Sequence, residues 1–186
     1  MKNVNNYHRP LKLTEDYAPK VDFSKWISGE WEWHNFKTLR LEQLNNPKLV
    51  EFLFSHKLTS NWIQVFHTAP NSDSLIHSDN NNYDNWAKII FQYGAKGSTM
   101  RWWTSEKFIN HDTGYGEILI SKPEDSLLEY EIEIGTSSLV NVGPLHSSHN
   151  PTSEPRFSIT LALFYLDKTR VLWDDALEIL SDYIKD

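Results

Sequence analysis

The chain has 186 residues, with 25 acidic side chains against 18 Lys and Arg for a formal charge of -7. That length fits one domain able to bury a core without covalent staples, and the acidic balance disfavours nucleic acid, whose non-specific affinity comes from clustered Lys and Arg. Cysteine is absent, which excludes disulfide frameworks, zinc ribbons, iron–sulfur clusters and thiol nucleophiles.

Met1 to Lys20 is polar with no apolar centre, so it reads as an irregular arm and as neither a secretory signal nor a membrane anchor. No later stretch approaches the roughly 18 apolar residues of a spanning helix. The expectation is a soluble, cytoplasmic protein. Asn46 to Leu58 reads as a helix, because Asn46 suits the N-cap, Pro47 suits the first turn, and Leu49, Phe52 and Leu53 fall at helical spacing.

From Trp62 the period changes to two, with Trp62, Gln64 and Phe66 alternating against Ile63, Val65 and His67 until Pro70. Further strands are predicted at 74–78, 86–93, 99–104, 117–121, 127–134, 138–142 and 156–165. Turn-forming clusters separate them at Asn80 to Asn82, Gly94 to Gly97, Asp112 to Gly114 and Pro151 to Ser153. The segment from Gly94 to Thr99 lacks Walker spacing and reads as a hairpin turn. This pattern predicts a mainly β fold, a sandwich or jelly roll with a helix ahead of it.

A closing helix over 172–184 places Leu172, Ala176, Leu180 and Tyr183 on one face. That face packs on the outside of the barrel or forms a homodimer contact, and sequence does not choose between the two. Aromatics make up 13% of the chain with eight tryptophans, enough either to fill a core or to line a pocket.

Chemistry enters with His77 and Asp79. In an extended segment, side chains two apart share a face, so a His-x-Asp pair presents an imidazole and a carboxylate together. The pair gains weight from a late segment in which His146 is followed by Asn150, Arg156 and Ser158. Two neutral imidazoles and one carboxylate on one face of an iron leave three coordination positions open, as oxygen-activating non-haem sites require.

In this order and spacing the chain resembles the Fe(II)/2-oxoglutarate-dependent oxygenase superfamily. The resemblance rests on Ile76-His77-Ser78-Asp79, on Gly143-Pro144-Leu145-His146 with Asn150 four residues on, and on Arg156-Phe157-Ser158. The stretch from Trp86 to Trp103 is also similar to short phage and marine bacterial members. The likeness covers about 62–165 and implies a double-stranded β-helix, cupin-like, with flanking N- and C-terminal helices.

It further implies Fe(II) held by His77, Asp79 and His146, with O2 and 2-oxoglutarate as cosubstrates. The distant carboxylate of 2-oxoglutarate would meet Arg156 and Ser158. The implied reaction is hydroxylation of a small-molecule or peptide substrate with release of succinate and CO2. Because Asp79 is present, the resemblance favours a hydroxylase over the halogenase branch, where a small residue replaces the carboxylate.

His149 is the rival for the distal ligand and otherwise reads as a loop histidine at the mouth. His67 reads as a structural strand histidine and His111 as a turn residue. Lys88, Tyr93, Arg101 and Trp102 lie on predicted strands whose faces the pattern does not fix, and packing or snorkelling is their expected role. Two other classes stay open: a non-catalytic jelly-roll module that binds a sugar or small molecule, and a cupin-like metalloenzyme that uses His67, His77 and His146 or His149.

Overall fold

The computed structural model describes residues 6–23, 36–114 and 116–185. Helix α1, Pro47–Ser55, begins as predicted: the Asn46 side chain accepts the Leu49 amide at 3.0 Å, and Pro47 opens the first turn. It buries Leu49, Phe52 and Leu53. It ends earlier than the spacing predicts, because Lys57 adopts a positive φ and Leu58 opens a long strand.

Thirteen strands are present among the described residues. One antiparallel sheet has six strands in the order β1 (His8–Pro10), β11 (Ser137–Asn141), β6 (Ala87–Gly94), β13 (Arg156–Tyr165), β3 (Leu58–Thr68) and β2 (Phe36–Leu39). The other runs β10 (Ser126–Glu133), β7 (Thr99–Ser105), β12 (His146–Asn150), β5 (Ile76–Ser78), β9 (Glu117–Ser121) and β8 (Ile109–Asp112), with β4 (Ser72–Asp73) paired to β12. The chain passes from β5 to β6 to β7 and from β11 to β12 to β13, changing sheet each time. Two facing antiparallel sheets wound in this way are a double-stranded β-helix.

Alternation along β3, β6 and β13 divides the six-stranded sheet into two chemically different faces. Ile63, Val65, Ile89, Phe91, Ile159 and Leu161 point to the main apolar core, together with Leu49 and Leu53 of α1. Trp62, Gln64, Lys88, Ile90, Arg156, Ser158 and Thr160 point the other way, into a cavity between the sheets. The aromatic content serves both predicted ends: Trp62 and Trp86 line the cavity, while Trp102 and Trp173 are buried in apolar clusters.

Three expectations from the sequence are corrected along these strands. Residues 8–10 are an edge strand rather than an irregular arm, and Leu11 and Leu13 enter the core. Pro10 is tolerated there because an edge position does not require its missing N–H. The turn after Gly94 is not a hairpin, since β6 and β7 belong to different sheets. Gly94 has φ +69, and a Cβ there would lie 2.6 Å from the Pro155 carbonyl oxygen, so the crossing needs glycine beside Arg156. His111 lies in β8 opposite Ile118 rather than in the turn.

The last helix, α2, is shorter than predicted, Trp173–Ile179, with a 3-10 turn at Ser181–Tyr183. Leu172 is its exposed N-cap, and Trp173 takes the buried place beside Ala176 and Leu180. These three join the main core, so the apolar face of α2 is covered by the chain itself. No helix among the described residues is long and apolar enough to cross a membrane.

Candidate metal centre

His77 sits in the middle of β5, Asp79 just past its end, and His146 at the start of β12. Antiparallel pairing places His146 directly opposite His77, and the two ring centroids are 4.6 Å apart. The Asp79 amide donates to the Val142 carbonyl at 3.1 Å. Asn80 then folds the following loop back by accepting the amides of Asn82 and Asp84 through its side-chain oxygen.

On the approach to His146, Gly143 passes so close to the backbone of Asp84 and Asn85 that any Cβ would collide with it. Local geometry therefore fixes all three side chains. One ligand atom from each of His77, Asp79 and His146 lies within 4.8 Å of the others.

Hydrogen bonding sets the tautomers. His77 Nδ1 is 3.0 Å from the Leu75 carbonyl oxygen and His146 Nδ1 is 2.9 Å from that of Pro144. A carbonyl only accepts, so each Nδ1 carries a proton, and in the neutral ring the lone pair falls on Nε2. Those Nε2 atoms lie 3.5 and 3.8 Å from Asp79 Oδ1. Burial, with His77 close beside it, lowers the His146 pKa to about 4, against which Asp79 acts in the opposite sense.

Burial works to raise the Asp79 pKa. The Lys88 ammonium and the two histidines together outweigh it and hold the carboxyl well below its ordinary value. The site thus presents Asp79 as a carboxylate and His146 as a neutral imidazole, beside the imidazole of His77, a donor set that suits a divalent metal.

Lys88 is the residue that sequence reading underrated. Its Nζ lies 2.5 Å from Asp79 Oδ2 and 3.0 Å from Gln64 Oε1, and the side chain is almost fully buried. A packing or snorkelling role does not describe it, because the charge is held inside. The available signal was a lone lysine within the apolar run Ala87-Lys88-Ile89-Ile90-Phe91, where a buried ammonium demands a partner.

Further along the same cavity wall, Arg156 is 1% exposed. Its Nε donates to Gln92 Oε1 at 3.2 Å, while the buried Nη1 has no hydrogen-bond partner. Burial lowers its pKa to about 10, which leaves it charged at neutral pH. Ser158 follows on the same face, and then Thr160, whose buried hydroxyl also has no partner. The cavity shared by these side chains and the His-Asp-His group has a volume of about 660 Å³.

The remaining sequence candidates lie elsewhere. His149, a strand residue of β12 rather than a loop histidine, pairs through Nδ1 with Asp73 at 2.6 Å and is outside the cluster. His67 borders the cavity with its ring 5.1 Å from Phe157, and it too is outside the cluster. Arg101 pairs with Glu131 and Asp73. The Tyr93 hydroxyl donates to the Pro19 carbonyl, and Trp102 stacks on Tyr7 while its indole N–H donates to Asn141.

No protein-family model and no curated protein sequence matches the chain. Among solved structures, similarity extends to peruvianin-I, a cysteine peptidase from Thevetia peruviana latex, at 10% identity and TM-score 0.39 over 86% of this chain and 79% of that one. It extends also to the non-heme monooxygenase ThoJ in its apo form, at 13% identity and TM-score 0.40 over 76% and 63%. An oxidoreductase of the 2OG-Fe(II) oxygenase family from Burkholderia pseudomallei aligns at 14% identity and TM-score 0.34 over 61% and 47%. The chain thus spans less than two thirds of the length of either oxygenase. Likenesses this distant assign no chemistry, and what the site can do follows from its own residues.

Proposed function

We propose that the chain is a non-haem Fe(II)- and 2-oxoglutarate-dependent dioxygenase that hydroxylates a small molecule or peptide side chain. The observation that carries this reading is the conjunction, in one cavity, of a two-imidazole, one-carboxylate group with a buried guanidinium whose Nη1 has no partner. The donor set fits a first-row divalent ion, and an orphaned buried cation fits an anion brought in from solvent.

His77 Nε2, His146 Nε2 and Asp79 Oδ1 would hold the iron, and Arg156 with Ser158 would take the distant carboxylate of 2-oxoglutarate. Bound together, iron and 2-oxoglutarate supply O2-dependent oxidative decarboxylation, which yields succinate and CO2 and is coupled to oxygen insertion into a C–H bond. The chain's own contribution is positional. Carbonyl-bound Nδ1 protons orient both imidazoles with Nε2 toward Asp79. Trp62, Phe66, Ile90 and Met100 give the cavity apolar walls that exclude water, and its volume falls within the roughly 300–1,000 Å³ of small-molecule sites.

The test is incubation with Fe(II), ascorbate and 2-oxoglutarate in air, following succinate and CO2. Equimolar formation of both, lost in Asp79→Ala, is expected even without the prime substrate, at a slow uncoupled rate. Absence of both products with metal-loaded protein contradicts the reading and leaves a binding module in its place.

A further inference from the structure

We propose that Lys88 is a positioning residue that reserves Oδ2 of Asp79, so that the carboxylate offers a divalent ion one oxygen only, and that Lys88 thereby exchanges metal affinity for affinity toward an anionic co-ligand. The inference rests on the proposed metal centre and concerns a residue outside its ligand set.

Three observations carry it. Asp79 divides its oxygens: Oδ1 faces both imidazole Nε2 atoms at 3.5 and 3.8 Å, while Oδ2 is held by the Lys88 ammonium at 2.5 Å. Lys88 is itself fixed from the opposite side, since Nζ donates to Gln64 Oε1 at 3.0 Å and lies 5.6 Å from the Trp62 ring centroid. The strand register sets Lys88 and Trp62 side by side on the cavity face, both opposite Ala162, a small residue in β13 between them.

Two physical effects follow, and both act in the same direction. A carboxylate bound through both oxygens would occupy a coordination position that a two-point chelator needs, so holding Oδ2 back keeps that position free. A buried positive charge beside the site opposes an incoming dication and attracts a dianion. Removing the ammonium should therefore leave metal binding intact or tighter and weaken the anion. A scaffold lysine that merely supported the fold would weaken both together.

The experiment measures anaerobic binding of Mn(II), by the electron paramagnetic resonance signal of the free ion, and then of 2-oxoglutarate and oxalate to the Mn(II)-loaded protein by calorimetry. Wild type, Lys88→Met, Lys88→Arg and Lys88→Gln are compared, with folding checked by circular dichroism in the presence of Mn(II). The expected result for Lys88→Met is Mn(II) affinity at or above wild type with affinity for both anions reduced at least tenfold. Lys88→Arg, which keeps the charge, should restore anion binding to within about threefold.

Lys88→Gln keeps a donor for Oδ2 without the charge. It is the variant read if Lys88→Met does not fold, with a loss of at least fivefold in anion affinity expected. Anion binding unchanged in the neutral variants, or Mn(II) and anion affinity falling together, overturns the proposal. A wild type that takes up Mn(II) but neither anion contradicts the dioxygenase reading instead, so the two failures are distinct.

Discussion

His146 stands directly across the sheet from His77, and each ring gives its Nδ1 proton to a main-chain carbonyl two residues before it in sequence. Two histidines far apart in the chain are thereby given the same orientation, both turning Nε2 toward Asp79 Oδ1. The pairing of β5 with β12 is what makes the site.

Asp79→Ala should remove both metal binding and stability in the metal-free protein. The loss of Mn(II) affinity should exceed the roughly 10–100-fold that deletion of an outer-shell partner costs. The substitution also leaves Lys88 as a buried cation with its ion-pair partner gone, at a cost of about 3–5 kcal/mol. Metal titration and chemical denaturation of the metal-free protein check the two effects, and an unchanged denaturation midpoint contradicts the ion-pair account.

Arg156→Ala should separate metal from cosubstrate. Charge-assisted hydrogen bonds of about 1.5–3 kcal/mol are lost, so the 2-oxoglutarate requirement should rise about 10–100-fold or more. Mn(II) affinity should stay within threefold of wild type. Calorimetry of each ligand decides it, and equal 2-oxoglutarate affinity in the variant removes Arg156 from the cosubstrate site.

His149→Ala should leave Mn(II) binding and turnover intact. Its partner Asp73 is solvent-exposed and the pair lies outside the cluster, so a stability change within about 0.5 kcal/mol is expected. Loss of Mn(II) binding in this variant would reassign the late ligand.

Metal-free protein should lose stability as the pH falls from about 6.5 to about 4. Burial, with Arg9 beside it, lowers the His8 pKa from 6.5 to about 4, and burial likewise lowers that of His146 to about 4. Folded values below the unfolded value mean that the unfolded chain binds protons first, so stability is fully present above 6.5 and declines toward 4. Each histidine contributes a slope of at most about 1.4 kcal/mol per pH unit across that window. His8→Asn removes one titrating group where the Nε2 contact to Ser138 now stands, so denaturation midpoints should fall less steeply with pH. An unchanged slope rules out the His8 contribution.

Much of this architecture was legible because the strands that matter alternate strongly. Residues 117–121 and 156–165 match their predicted ranges, and Asn46 with Pro47 marks the true start of α1. What escaped is set by pairing rather than by local pattern. The β12 sequence His-Ser-Ser-His-Asn has no apolar alternation and is a strand because β4, β5 and β7 lie beside it. The short strands β1 and β8 are edge partners whose sequences alone would not hold an extended form.

For the site, the spacing of His77, Asp79, His146 and Arg156 carried the chemistry, and the structure brings the first three together and places Arg156 in the same cavity wall. The face on which Lys88 lies could not be read from β6, because that strand is buried on both sides and its run of apolar residues gives no inside or outside.

The most direct measurement is an anaerobic titration of the protein with Fe(II) and then 2-oxoglutarate, watched in the visible region. A charge-transfer absorption that arises only when both are present, and is lost in Asp79→Ala, is the predicted result. Fe(II) uptake with no such band on addition of saturating 2-oxoglutarate would contradict the account.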